Sequence, residues 1–427
     1  MKFSPGTAIA VIMANMIGTG VFTSLGFQLQ DIQSPFVLIM LWVVGGITAL
    51  CGALSYAELG AALPRSGGEY NFLSQIYHPG AGFIAGWISA TIGFAAPTAL
   101  AAITFGTYLA SVFPDLSATW LAGALIMLLA AAHGGSHRSS SLVQRAFTAL
   151  KVLLILGFCA LAAGFAPEPQ PISFVPQAGD GAVLISGAFA VALIYVSYAF
   201  TGWNAATYLT GELERPQQTL SAVLLVGTAG VTLLYVLLNA TFLWVAPISA
   251  MEGKLEVGYI AAQHAFGAGG GAVMGVLLAL LLVSTVSAMI MAGPRVLQVM
   301  GEDYGVFRLL ARTNDDGIPT TAIYAQSALA LFFVLSASFE RILLFTGFTL
   351  SVSAFVTVLG LFVLRVRQPD LARPYRVLGY PFTPLVFLLV TGWTMTFILL
   401  QRPVEGLWGI AIIAAGGVFY ALSNRRR

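Results

Sequence analysis

The stretch NMIGTGVFTSLG, residues 15–26, lies inside an otherwise apolar N-terminal segment. Glycine weakens a helix interior by about 1 kcal/mol relative to alanine and tolerates backbone angles that other residues avoid. Gly18 and Gly20 on either side of Thr19 therefore predict a point at which a membrane helix is interrupted. Helix packing is the alternative role, because small residues also line helix–helix contacts in membranes and the chain has 46 glycines.

The composition of the whole chain indicates a membrane protein that crosses the bilayer many times. Of the 427 residues, 58% are hydrophobic and 8% are charged, whereas a soluble domain has about 25% charged residues. Cys51 and Cys159 both lie in apolar runs, which predicts buried core residues rather than a disulfide. The net charge of +2 gives no reason to expect a nucleic-acid partner.

We predict twelve membrane-spanning helices joined by short connections, because apolar stretches of about 20 residues recur along the chain. Their predicted bounds are 6–30, 36–62, 80–113, 118–133, 142–165, 182–211, 218–246, 269–300, 319–337, 341–365, 378–400 and 405–423. The longest predicted connection, residues 247–267, carries a charged patch.

The distribution of positive charge predicts the orientation. With the N-terminus in the cytoplasm, fifteen of the 19 lysines and arginines fall on the cytoplasmic side, three fall outside and Lys151 falls inside a span. Cytoplasmic connections of membrane proteins carry an excess of such residues. We therefore expect both termini in the cytoplasm.

A second interruption occurs within VALIYVSYAFTGWNAATYLTGELERP, residues 191–216, where Thr201 and Gly202 are followed by Asn204. The two interruptions occupy corresponding positions if the first ten spans form two halves of five. Paired interruptions of this kind are typical of the substrate site of an alternating-access transporter. The exposed N–H groups of a half-helix suit a carboxylate, and the carbonyls of the preceding half-helix suit an ammonium. Together they predict an amino acid site and favour binding over packing.

Lys151 lies nine residues after Leu142 in the fifth predicted span, which places it about 13 Å along the helix axis. That depth is close to the middle of a hydrocarbon core about 30 Å thick. Snorkelling to the cytoplasmic surface is the alternative, but the depth exceeds the reach of the side chain. Ionisable residues this deep usually face the protein interior and act in function. We expect the ammonium either to hold helix carbonyls in place of a metal ion or to release its proton in coupled transport.

Glu58 lies near the cytoplasmic end of its span, where we expect it to hold helix ends or a loop.

Other classes of function lack the residues that they require. An intramembrane enzyme needs converging catalytic groups, such as paired Asp or an HExxH motif, and none occurs at membrane depth, so no catalytic residue, metal or cofactor is predicted. A sensor that signals to a partner needs a long cytoplasmic tail, and the last predicted span is followed only by SNRRR, residues 423–427.

Five ordered stretches resemble the amino acid–polyamine–organocation superfamily of secondary transporters, and within it the bacterial relatives of the L-type amino acid transporters. They are IGTGVF at 17–22, SYAELGAALPRSGGEYNFL at 55–73, SYAFTGWNAATYLTGELERP at 197–216, PRVLQVMGEDYGVF at 294–307 and RPYRVLGYPFTP at 373–384. The resemblance implies an all-α, LeuT-like fold in the cytoplasmic membrane of a bacterium. The two inverted five-helix repeats would comprise residues 1–165 and 182–367, followed by two helices within 378–423.

The resemblance also implies which residues contact the substrate. Gly18, Thr19 and Gly20 would offer backbone N–H groups to the substrate carboxylate. Asn15 and Ile17 lie on the preceding half-helix, whose carbonyls would receive the amino group.

The corresponding residues of the sixth span are expected to complete the site. Tyr198, Ala199, Phe200 and Thr201 would line the break, with Tyr198 as the aromatic gate and Phe200 as the second choice. Asn204 matches a position that supports the amino group.

Lys151 matches a lysine that takes the place of a sodium ion in sodium-independent members and ties helix 5 to helices 1 and 8. Exchange and proton symport both fit this lysine, and protons are therefore the alternative coupling partner. Pro294, next to the end of helix 8, departs from the family pattern. The connection between the third and fourth spans has no cysteine, so no disulfide-linked heavy subunit is expected.

The substrate is expected to be a small or medium neutral L-amino acid. The predicted spans contain no acidic residue at mid-depth to pair with a second positive charge on the substrate. Thr201 also occupies space at the break that a glycine would leave open. A polyamine or cationic amino acid antiporter of the same fold is the alternative.

Overall fold

The computed structural model describes residues 4–65, 67–135, 141–204, 207, 216–315 and 317–424. The sixth predicted span and the motif at 197–216 therefore lie partly outside the described residues. Six residues of the charge count lie wholly outside them, namely Lys2, Arg138, Arg215, Arg425, Arg426 and Arg427. Within the described ranges the chain is helical with no β-strand.

Within the described part of the first half there are eight helices, α1 to α8, with a π-helical turn at Ser89–Gly93 between α5 and α6. Their bounds are Pro5–Met16, Gly20–Gln28, Pro35–Ala62, Glu69–Ile76, Pro79–Ile88, Ala95–Val112, Ala118–Gly135 and Ser141–Phe165. Helices α1 and α2 together form the first interrupted span.

The described residues of the second half form nine helices, α9 to α17, with a 3₁₀ turn at Gly305–Ala311 after α13. Their bounds are Asp180–Leu184, Gly187–Ala199, Pro216–Val245, Ile248–Met251, Val257–Asp303, Thr320–Ser336, Phe339–Arg367, Phe382–Gln401 and Pro403–Asn424. Helix α10 forms the described first part of the sixth predicted span.

Nine helical segments of the described chain are long and apolar enough to cross a membrane. Three shorter apolar helices, Ala149–Phe165, Gly187–Ala199 and Thr320–Ser336, coincide with the fifth, sixth and ninth predicted spans. Each predicted span thus overlaps an apolar helix, and twelve crossings remain a prediction.

The predicted connection at 247–267 is wrong in its extent, because most of it is helical. Helix α12 occupies Ile248–Met251, and α13 already begins at Val257. The charged patch lies between these two helices, and the apolar residues after it form helical turns. Gly267, with φ of +76°, interrupts the helical geometry of α13 where the predicted span was expected to begin.

Helix α15 defines two ends of the bundle, which we call the Glu340 end and the Arg365 end. At the Arg365 end the buried Glu58 carboxylate of α3 accepts two hydrogen bonds from Arg365, at 2.9 and 2.6 Å. The backbone N–H of Val377 donates to the same carboxylate at 2.7 Å. Glu58 therefore joins α3, α15 and the segment that leads to α16, as its expected structural role requires.

Candidate functional site

The first interruption separates α1 from α2 and leaves backbone donors unpaired. Helix α1 ends at Met16 and α2 begins at Gly20. Within the described ranges, the N–H groups of Gly18 and Thr19 have no backbone acceptor. Free N–H groups at the start of a helix attract an anion, because the helix dipole adds positive potential at the same point.

The second interruption follows α10 and lies directly against the first. Helix α10 ends at Ala199, and Gly202 has φ of +103°, a conformation that residues with a side chain rarely adopt. A Cβ atom on Gly202 would lie 2.9 Å from Asn15 Cβ, and a Cβ atom on Gly20 would lie 2.5 Å from Ala199 Cα. The glycines therefore let the two interrupted helices touch at two points.

A cavity of about 210 Å³ opens beside these contacts. Nine of the ten predicted substrate residues line it, namely Asn15, Gly18, Thr19, Gly20, Tyr198, Ala199, Phe200, Thr201 and Asn204. Residues of α3, α4, the π-helical turn, α6, α13, α15 and α16 also line it. Ile17 is fully buried and does not line the cavity. Substrate contact by any of these residues remains a prediction.

The two aromatic residues predicted as gates occupy different environments. Tyr198 lines the cavity, is 7% exposed and interacts with the side chain of Thr19 across the two breaks. Phe200 also reaches the cavity wall, but its ring packs 5.1 Å from the ring of Tyr235 in the core. The gating role predicted for Tyr198, with Phe200 as the second choice, remains a prediction.

Three rings stack on one another at the Glu340 end of α15. Phe27 stacks on Tyr195 and on Phe339, with ring centroids 5.8 and 5.7 Å apart. The Tyr195 hydroxyl donates to Glu340 Oε1 at 2.8 Å, which joins α10 to α15. Nothing in the sequence indicates this stack, because its rings come from three distant segments.

Tyr235 of α11 also lies beside the two breaks, although it was not predicted from the sequence as part of the site. Its buried hydroxyl lies 2.5 Å from the carbonyl oxygen of Met16 and 3.0 Å from that of Ala199. These carbonyls belong to the last residues of α1 and α10, so one phenol bridges both interrupted helices. Its single proton serves one carbonyl at a time. A tyrosine within an apolar span was the available signal, because a buried hydroxyl needs a polar partner.

Lys151 of α8 lies in the protein interior and does not snorkel. Its side chain is 6% exposed, and its Nζ donates to Thr285 Oγ1 of α13 at 3.0 Å. Thr285 itself lines the cavity. Helix α8 packs against both α1 and α13, the two elements that the lysine was expected to tie together. One hydroxyl group thus separates the ammonium from the cavity.

Glu69 places a carboxylate in the cavity wall, which the sequence analysis did not anticipate. It is the first residue of α4, a short helix in the connection between the second and third spans. The side chain is 6% exposed and lines the cavity. Its Oε1 accepts from Tyr56 at 2.9 Å and from Asn204 Nδ2 at 2.6 Å. The predicted spans have no acidic residue at mid-depth, but an acidic residue from a connection reaches the cavity.

Two interrupted apolar helices that meet at a central cavity are the arrangement of a secondary transporter with a central binding site. The sequence matches the amino acid permease family over residues 3–422, and the chain belongs to this family. Its members are transporters rather than enzymes.

Several animal amino acid transporters are similar to nearly the whole chain. The b(0,+)-type amino acid transporter 1 of Mus musculus is 26% identical over 431 residues, which cover 97% of this chain and 86% of the relative. The large neutral amino acids transporter small subunit 2 of Oryctolagus cuniculus is 29% identical over 443 residues, covering 97% and 79%. The Asc-type amino acid transporter 1 of Mus musculus is 28% identical over 446 residues, covering 97% and 80%.

Proposed function

We propose that the chain is a sodium-independent secondary transporter that carries neutral L-amino acids by alternating access. The observation that carries the proposal is the cavity beside the two breaks. It is lined by Gly18 and Thr19, whose N–H groups have no backbone acceptor among the described residues. A carboxylate suits these donors, and an ammonium suits the carbonyl and amide oxygens nearby. At about 210 Å³, the cavity is smaller than the roughly 300–1,000 Å³ of sites for drug-sized ligands, which favours a small solute.

The proposal also covers the membrane topology and the independence of transport from sodium. Twelve spans in a LeuT-like arrangement, with both termini in the cytoplasm, agree with the apolar helices and with the positive charge at the Arg365 end. The three stacked rings at the Glu340 end then close the cavity on the outside. Lys151, bonded to Thr285 beside the cavity, supplies a fixed positive charge that makes a sodium ion at the same place unfavourable.

The names of the relatives support amino acids as the substrate class. They are named as transporters of large neutral amino acids or as Asc-type and b(0,+)-type amino acid transporters. One relative is named a small subunit. We propose that this chain has no disulfide-linked heavy subunit, because the sequence between α6 and α7 contains no cysteine.

The test is uptake of labelled amino acids into proteoliposomes in sodium-free buffer, at two pH values, with and without unlabelled amino acid inside. Uptake that requires internal amino acid identifies an exchanger, and uptake into empty vesicles that follows an imposed proton gradient identifies a symporter. Vesicles without protein give the background. Uptake that depends on sodium, or no uptake of any amino acid above background, would contradict the proposal.

A cationic amino acid or polyamine antiporter is the second candidate, and the Glu69 carboxylate in the cavity wall is the observation that favours it. Arginine and putrescine belong in the same uptake panel. The second candidate predicts that both are carried in preference to neutral amino acids and that Glu69→Gln selectively abolishes their uptake. The first candidate predicts that neutral amino acids outcompete them in the wild-type protein.

A further inference from the structure

The hydrogen bond between Glu69 and Asn204 joins α4 to the residue that follows the second break. Asn204 Nδ2 donates to Glu69 Oε1 at 2.6 Å, and both residues line the cavity. Tyr56 donates to the same oxygen at 2.9 Å, and its ring packs 4.7 Å from the ring of Trp203. The carboxylate is therefore held in place from a second side, next to the predicted amino-group site.

This contact determines which way the Asn204 amide faces. An amide has donors on its nitrogen and acceptors on its oxygen, whereas an ionised carboxylate only accepts. An Asn204 oxygen turned towards Glu69 would bring two acceptors together, so the carboxylate selects the orientation with Nδ2 towards itself. Among the described residues no donor is bonded to Asn204 Oδ1. That oxygen is the acceptor that Asn204 retains for a ligand.

The ligand that this arrangement fits carries an ammonium group. An ammonium has three donors and no acceptor, so it pairs with Oδ1 and is repelled by an amide nitrogen in the same place. We propose that Glu69 is a positioning residue, which fixes the Asn204 amide so that Oδ1 accepts a hydrogen bond from the α-ammonium of the substrate. The proposal rests on the proposed transport of amino acids and assigns Glu69 a role for every α-amino acid, neutral or cationic.

Glu69→Gln tests the proposal, because glutamine both donates and accepts and no longer selects one orientation of the Asn204 amide. We expect the apparent affinity for L-leucine to fall about tenfold, the typical cost of a lost charge-assisted hydrogen bond. The affinity for isocaproate, which is leucine without its amino group, should stay unchanged. Inhibition of labelled uptake in proteoliposomes measures both ligands, and the ratio of the two affinities is the decisive quantity.

Two further variants separate positioning from general structure. Tyr56→Phe removes the other hydrogen bond to the same Glu69 oxygen and should keep the wild-type ratio. The double variant Glu69→Gln/Asn204→Asp moves the carboxylate to position 204, where one oxygen accepts from glutamine and the other faces the substrate. We expect it to recover most of the affinity for L-leucine that Glu69→Gln loses.

The outcomes distinguish this proposal from the proposed function. Equal loss of affinity for L-leucine and isocaproate in Glu69→Gln would show a structural role and overturn the proposal. A loss confined to arginine, with L-leucine unaffected, would show direct pairing with a cationic side chain and overturn it as well. Both outcomes leave amino acid transport standing, whereas wild-type vesicles without any amino acid uptake would refute the proposed function itself.

Discussion

Replacing Gly20 with alanine should weaken substrate binding, because the added methyl group meets the backbone of the other interrupted helix. An ideal Cβ atom on Gly20 lies 2.5 Å from Ala199 Cα and 2.7 Å from Ala199 Cβ, whereas ordinary contact begins at 3.4 Å. The two breaks must therefore separate by about 0.9 Å, the difference between 3.4 and 2.5 Å. The neighbouring atoms are the backbone N and Cα of Ala199 and its Cβ, which is fixed to that backbone, so no flexible side chain can move aside.

The expected free-energy cost of Gly20→Ala is the difference between two opposing effects. Alanine favours a helix over glycine by up to about 1 kcal/mol, and less at the first residue of α2, where Gly20 lies. Overpacking a close contact costs about 1–3 kcal/mol, which corresponds to roughly 5- to 150-fold in an equilibrium constant. The clash therefore exceeds the helix gain. Because the contact adjoins the cavity, we expect the loss to be seen in substrate affinity.

Saturation of labelled amino acid uptake in proteoliposomes measures the affinity, and thermal unfolding in detergent measures the stability in parallel. Gly157→Ala is the matched control, because a Cβ atom on Gly157 of α8 has no atom within 4 Å. This control should keep wild-type affinity. If Gly20→Ala also kept it, the contact between the two breaks would not shape the site, and the reasoning would be refuted.

Three further variants test single contacts. Lys151→Met keeps a long side chain but removes the ammonium that donates to Thr285. The transport rate should fall at least about tenfold, with normal amounts of protein in the membrane. Wild-type transport rates would refute a role for Lys151 in transport. Tyr235→Phe removes only the hydroxyl that bridges α1 and α10, and exchange should slow about fivefold, the equivalent of about 1 kcal/mol; unchanged exchange kinetics would speak against the bridge. Glu58→Gln weakens a buried ion pair with Arg365 and should lower the free energy of unfolding by about 2–4 kcal/mol, as measured by thermal unfolding in detergent. The control for the last variant is Glu405→Gln, whose partner is 72% exposed and 4.0 Å away, so its effect should be below about 1 kcal/mol.

The sequence was most informative about features that depend on neighbouring residues. Membrane spans are recognisable because about 20 consecutive apolar residues are needed to cross a bilayer, whatever the rest of the chain does. The breaks at Gly18–Gly20 and Thr201–Gly202 are recognisable because glycine changes the local helix geometry. Nine of the ten predicted substrate residues line one cavity because they belong to these two local motifs.

Features that combine distant segments were not predictable in the same way. Glu69 falls in the connection between two predicted spans, and nothing in the neighbouring sequence indicates that it lies beside Asn204. The structure shows that it begins a helix of eight residues, Glu69–Ile76. The stack of Phe27, Tyr195 and Phe339 combines rings from three helices.

The sequence by itself determined that this is a polytopic membrane protein with two interrupted spans and a deeply placed lysine, because hydropathy and glycine act over a few helical turns. Only the tertiary structure decided which groups meet across the breaks. Tyr235 reaches Met16 over 219 positions of sequence, and Glu69 reaches Asn204 over 135. Such polar pairs depend on how the helices pack, and a buried polar group takes whichever partner the packing brings within hydrogen-bonding distance.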